Sequence, residues 1–206
     1  MSNRNPRRPS SLAVLAIALS CAFLLSQTPN AIAKPSLDDF EVGSYEIGGE
    51  FSLTNQDGKP TTLKDLQGKV LLVFFGYTFC PDICPTTMAD ITRLLRSLGP
   101  QAKQLLPVFV TLDPERDTPA RLRSYLENFE KGFIGLTGTE SQISQVAKQY
   151  KVRYAKRAVN TSAKYLIDHT ALLYMISPQG KVKYLFPPDA GLDLMTQGIK
   201  KLQTKP

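Results

Sequence analysis

Histidine occurs once in the 206 residues, at position 169, and cysteine three times, at 21, 80 and 84. Cys21 lies in an N-terminal apolar segment, so a folded domain has two thiols and one imidazole to work with. A four-ligand Cys/His zinc site therefore cannot be built within one chain, although a three-ligand Cys2His site can. There is no Gly-rich phosphate loop, no ladder of interleaved basic and aromatic residues, and no internal repeat. The formal charge of +7 includes Arg4, Arg7 and Arg8, the only charges in residues 1–33, so the chain beyond them carries +4. That balance suits an acidic protein partner or an anionic membrane surface and is too small to argue for nucleic acid.

What the chain does have is the stretch Phe79-Cys80-Pro81-Asp82-Ile83-Cys84-Pro85. The apolar run Val70–Gly76 before it predicts a buried strand, and Thr86–Leu98 after it predicts an amphipathic helix with Met88, Ile91, Leu94, Leu95 and Leu98 on its core face. Pro85 suits the first helical position, where its missing N–H is not needed. Two thiols four residues apart thus sit on a strand-to-helix turn, where free N–H groups and the helix dipole favour thiolate. The pair is suited to disulfide chemistry or to holding a soft metal.

Residues 1–33 read as a secretory signal: a basic start, an apolar run from Leu12 to Leu25 that is short for a span of about 20 residues, and Ala31-Ile32-Ala33 as a cleavage site. Rival readings are an uncleaved membrane anchor, a lipoprotein acylated at Cys21, and twin-arginine export through Arg7-Arg8. All four place the domain outside the cytoplasm, in a periplasmic or other extracytoplasmic compartment. There the oxidation state of a close cysteine pair becomes a variable.

Residues 34–43 read as a linker and 44–203 as one domain. Asn55-Gln56-Asp57-Gly58 between Phe51–Thr54 and Thr61–Leu63 predicts a hairpin. A second buried strand is expected at Leu105–Leu112, then a turn at Asp113–Pro119 and a helix near 119–130 capped by Asp117 or Thr118. A short strand at Phe133–Leu136 and a helix at Thr139–Tyr150 follow. Residues 151–165 read as irregular. Thr170–Ser177 and Val182–Phe186 form a closing hairpin, and Leu192–Leu202 a last helix. This alternation predicts an α/β, thioredoxin-like fold: a mixed central sheet flanked by helices, with an N-terminal β-hairpin.

The spacing Cys-x-x-x-Cys is one residue wider than that of thioredoxin. It permits a disulfide, and its wider mouth also suits a grip on one ion. Thiolates select Cu(I), and imidazole suits copper of either charge, so Cys80, Cys84 and His169 would make a three-coordinate Cu(I) site. Cu(II) would want a fourth donor. His169, at the start of the strand from 170, is either a ligand or an ordinary core or surface residue. Asp113 and Asp117 are either turn and cap residues or a carboxylate pair near the metal. Asp168 is not expected to orient His169, because adjacent strand residues face opposite ways. The run Lys148, Lys151, Arg153, Lys156, Arg157 and Lys164 is either a solvated loop or a dock for an acidic partner. Thr78 and Arg116 keep a thiol peroxidase reading open.

Three separated motifs resemble those of the Sco/SenC family: Phe75–Thr87 around the cysteines, Asp113-Pro114-Glu115-Arg116-Asp117-Thr118-Pro119, and Asp168-His169-Thr170. Phe133–Gly138 is also similar, and the likeness runs from about residue 40 to 202. The resemblance implies a thioredoxin-like copper metallochaperone for the CuA centre of cytochrome c oxidase, with Cys80, Cys84 and His169 as ligands. Its implied partners are the CuA-bearing subunit, other copper carriers and thiol reductants. Family members are usually tethered by an N-terminal helix, which would place the domain close to a membrane. The competing function is a thiol–disulfide oxidoreductase or redox sensor using Cys80 and Cys84 alone. Taken together, the residues favour a carrier over an enzyme, acting as a monomer.

Overall fold

The computed structural model describes residues 34–203. The reading of residues 1–33 lies outside them. Among the described residues no helix is long and apolar enough to cross a membrane.

The chain first makes the hairpin β1 (Ser52–Asn55) and β2 (Pro60–Thr62). Thr62 then caps the short helix α1 (Leu63–Leu66) through the Asp65 backbone N–H, so Leu63 starts a helix instead of ending the hairpin. The next strands are β3 (Val70–Gly76) and β4 (Leu105–Thr111), with helix α2 (Ile83–Leu98) between them. Helix α3 (Pro119–Leu126), strand β5 (Ile134–Thr137) and helix α4 (Glu140–Gln149) follow. The chain closes with strands β6 (Tyr154–Ala158), β7 (Tyr165–His169), β8 (Leu173–Ile176) and β9 (Val182–Phe186) and helix α5 (Leu192–Gln203).

Seven strands form one sheet in the order β2-β1-β5-β4-β3-β8-β9. β3 pairs parallel to β4, and β4 parallel to β5, while β8 and β9 run antiparallel. This is the mixed, thioredoxin-like sheet that the sequence predicts. β3 is apolar throughout because it is buried on both faces, and its period-2 alternation divides the core. Val70, Leu72 and Phe74 face α2, α3 and α5. Leu71, Val73 and Phe75 face α1 and α4.

Three expectations are corrected. α2 begins at Ile83, so Pro85 is its third residue; the first turn donates none of its N–H groups within the helix, so proline fits there equally well. Residues 151–165 are not irregular: β6 and β7 pair as a separate antiparallel ribbon. Its first strand is Tyr154-Ala155-Lys156-Arg157-Ala158, almost wholly exposed, so no apolar alternation marks it. Lastly, the stretch read as a linker contains the 3-10 turn Leu37–Phe40 and the bridge Glu41–Tyr184, and the Phe40 ring packs tilted against Phe186 with centroids 5.4 Å apart.

Leu72, on the central strand, is 0% exposed. Leu72→Ala is expected to lower the unfolding free energy by about 2–5 kcal/mol, read from the urea midpoint at an unchanged slope. A loss within about 0.5 kcal/mol, ordinary for a surface position, would contradict this placement.

Candidate metal and thiol site

The parallel strands β3 and β4 end together, Gly76 opposite Thr111. Beyond that edge the chain turns through Tyr77–Asp82 into α2. Cys80 lies in this turn, half-buried, and Cys84 is the second residue of α2, with 0% exposure. Cys80 is therefore the accessible sulfur of the two. Both are free thiols.

Gly76 makes room for Cys84. A Cβ at Gly76 would stand 2.8 Å from Cys84 Sγ and 3.0 Å from a ring carbon of Phe74, so a side chain there would displace the sulfur.

The two sulfurs share one proton unequally. Cys80 is lowered to about 4, first because the Cys84 thiol donates to it and further by the backbone N–H groups of Asp82 and Cys84, against the opposing effect of burial. Its thiolate thus takes up amides at the start of α2, where Asp82 makes no side-chain cap. Cys84 is pushed well above the ordinary thiol value, first by donating to Cys80 and then by burial. The pair holds one thiolate and one thiol at neutral pH.

His169 is the last residue of β7, not the first of the next strand. Its Nε2 lies 3.5 Å from Cys84 Sγ, and its Nδ1 lies 3.0 Å from the Thr170 carbonyl oxygen. A carbonyl only accepts, so Nδ1 carries a proton, and Nε2 is the nitrogen left facing the sulfurs. Phe74 and Tyr77 meet the imidazole edge-on, at 6.1 and 6.0 Å between centroids. Sequence reasoning missed Gly76, the Thr170 carbonyl and this aromatic cage, because none of them is a ligand type.

The donor atoms of Cys80, Cys84 and His169 all lie within 4.8 Å of one another. Metal–donor bonds of about 2.0–2.3 Å, as zinc makes to nitrogen and sulfur, put trigonal donors about 3.8–4.0 Å apart. The three residues thus fit one soft ion with little rearrangement.

Asp113 and Asp117 are not among these donors. Both are 0% exposed. Asp117 accepts from the Thr78 N–H at 2.9 Å, the Thr78 hydroxyl at 2.6 Å and the Thr111 hydroxyl at 2.6 Å. Burial nevertheless raises its pKa, with those hydrogen bonds opposing the rise. Asp113 pairs with Arg116 and accepts from the Tyr165 hydroxyl at 2.7 Å. Their oxygens are committed to fixing the turns around the site. Thr78, bonded to Asp117 and to Arg121 Nε at 2.9 Å, is likewise occupied and not aimed at a peroxide. Asp168 points away and pairs with Arg157. In the basic run, Lys156 pairs with Glu115 and Glu140.

The SCO1/SenC family model matches residues 41–204. The SCO2-like protein of Rickettsia conorii is 36% identical over 185 residues, covering 88% of this chain and 90% of the relative. Bradyrhizobium japonicum ScoI, solved with copper bound, is 39% identical with a TM-score of 0.70, covering 76% of this chain and 99% of that one. BsSco, described as having a disulfide switch and as a member of the Sco family of cytochrome c oxidase assembly proteins, is 26% identical with a TM-score of 0.65, covering 81% and 99%.

The unequal sulfurs predict selective alkylation. At pH 6, iodoacetamide on the reduced protein is expected to label Cys80 and leave Cys84 unmodified, as read by peptide mass spectrometry. Equal labelling, or labelling of Cys84 first, would contradict the assignment.

Proposed function

The chain belongs to the SCO1/SenC family, and from that premise we propose that it is a copper carrier that loads the CuA centre of cytochrome c oxidase during assembly. The observation that supports this most directly is the convergence of Cys80, Cys84 and an imidazole whose free nitrogen faces them. Two thiolates and one imidazole suit Cu(I) in three-coordination. The ion is cargo: a site with three donors and an open side near the half-buried Cys80 can pass it to the cysteines of a target by ligand exchange. Cu(II) would need a further donor, and since Asp113 and Asp117 are committed, water or the partner would supply it. The CuA-bearing subunit is the proposed recipient. The domain acts outside the cytoplasm as a monomer, either exported or held near a membrane by residues 1–33.

The protein's part in binding is proton management. Cys80 is ionised in advance, and Nε2 of His169 already faces the sulfurs. Only Cys84 must release a proton, to solvent, as the ion arrives. Gly76 lets that sulfur sit under the strand end, and the Thr170 carbonyl holds the ring orientation.

A second reading rests on the same Cys80 thiolate. A low-pKa cysteine beside a protonated one is the arrangement of a thiol–disulfide reductant: Cys80 attacks a target disulfide, and Cys84 resolves the mixed disulfide. The protein would then reduce the CuA cysteines before loading, and His169 would be dispensable for that step.

Cu(I) competition titration of the reduced chain is expected to show one tightly held copper, weakened about tenfold or more by His169→Ala. Equal affinity in the two proteins would remove His169 from the site and favour the reductase reading. Calorimetry in buffers of different ionisation enthalpy at pH 7 is expected to show about one proton released per copper. Release of two would contradict prior ionisation of Cys80.

A further inference from the structure

The element that carries His169 joins no strand of the main sheet. β6 and β7 form a two-stranded ribbon of their own, with Ile167 buried in the core and Tyr154 and Tyr165 partly packed on it. A ligand on such an arm needs something to fix the arm against the cysteines.

Arg116 is the side chain that reaches all the parts involved. Its Nη1 donates to the Ala163 carbonyl at 2.9 Å, two residues before β7, and to the Tyr165 carbonyl at 3.1 Å, at the strand's first residue. Its Nε pairs with the buried Asp113, beyond the end of β4. Its guanidinium carbon lies 3.7 Å from the Tyr165 ring centroid and 4.7 Å from that of Phe79, the neighbour of Cys80. Phe79 is 41% exposed, so this stacking lies at the surface beside the cysteine turn. Tyr165 completes the contact by donating to Asp113 at 2.7 Å. One planar cation thus touches the arm, the turn after β4 and the cysteine turn. Lysine, with a single ammonium and no plane to stack, cannot reproduce this.

We propose that Arg116 is a positioning residue for His169: by clasping the start of β7 against Phe79, it sets where the imidazole stands relative to Cys80 and Cys84. This rests on the copper-carrier reading for its consequence, but the clasp itself can be measured without metal. When the clasp is lost, the arm moves and the sulfurs keep only each other.

The test uses Arg116→Lys, which leaves a cation for the buried Asp113 carboxylate. His169 is the sole histidine, so diethyl pyrocarbonate reports on that one ring. The variant is expected to be modified faster than wild type at a closely similar melting temperature. Its Cu(I) affinity should fall about tenfold, the size usual for losing an outer-shell partner. Placed in a His169→Ala background, the same substitution should cause no further loss, because its effect passes through the imidazole. An unchanged modification rate, or an equal loss of affinity in both backgrounds, would overturn the proposal. If His169→Ala alone leaves copper affinity unchanged, the carrier reading fails, and the modification rate still decides whether Arg116 positions the arm. Should Arg116→Lys fold poorly, the double variant Asp113→Asn/Arg116→Gln removes the buried charge pair without orphaning either partner and gives the same comparison.

Discussion

Asp117 is a carboxylate with no access to solvent, and three hydrogen bonds keep it there. Its oxygens join the end of β4, through Thr111, to the start of the cysteine turn, through Thr78. Thr78 in turn accepts from Arg121 on α3. A buried carboxylate without such partners would cost several kcal/mol, so the two strand ends and the helix must stand where they can bond to it. That constraint fixes the edge of the sheet from which the cysteine turn springs. The position of Cys80 and Cys84 is therefore set by a group that touches neither.

On that fixed base the three donors divide the work. Cys84 is enclosed under Gly76 and keeps its proton. Cys80 is half-exposed, ionised and stabilised by helix amides, and it faces whatever approaches. His169 comes from a separate ribbon, with its tautomer chosen by one backbone carbonyl. The proposed carrier role draws on this asymmetry: a buried anchor, an accessible sulfur for exchange, and an imidazole brought in from a separate element. The same asymmetry equips the pair for disulfide exchange, and so the copper and reductant readings share Cys80 and Cys84 and part company at His169.

Much of this was legible in the sequence, for reasons that can be named. β3 is apolar along its whole length, and β4 as far as Val110, because both faces are covered. The hairpin before them is announced by Asp57-Gly58. The Cys2His combination followed from there being so few thiols and imidazoles to choose from. The β6–β7 ribbon was not legible, because Lys156, Arg157 and their neighbours are solvated and carry no alternation. His169 was for that reason assigned to the strand after the one it ends. Asp113 and Asp117 drew attention as possible ligands because they are acidic and close to the motif, whereas their burial and threonine, arginine and tyrosine partners appear only in three dimensions. Arg116 is a stronger case: its contacts at Ala163 and Tyr165 lie 47 and 49 residues away in sequence, and no local pattern records them.

The proposed function requires one imidazole and two thiolates to meet at a single ion. Copper K-edge X-ray absorption of the reduced chain loaded with one equivalent of Cu(I) tests it most directly. The expected spectrum is that of a three-coordinate copper with two sulfur scatterers and one imidazole nitrogen, the nitrogen signal vanishing in His169→Ala. An all-sulfur environment in the wild-type protein would contradict it.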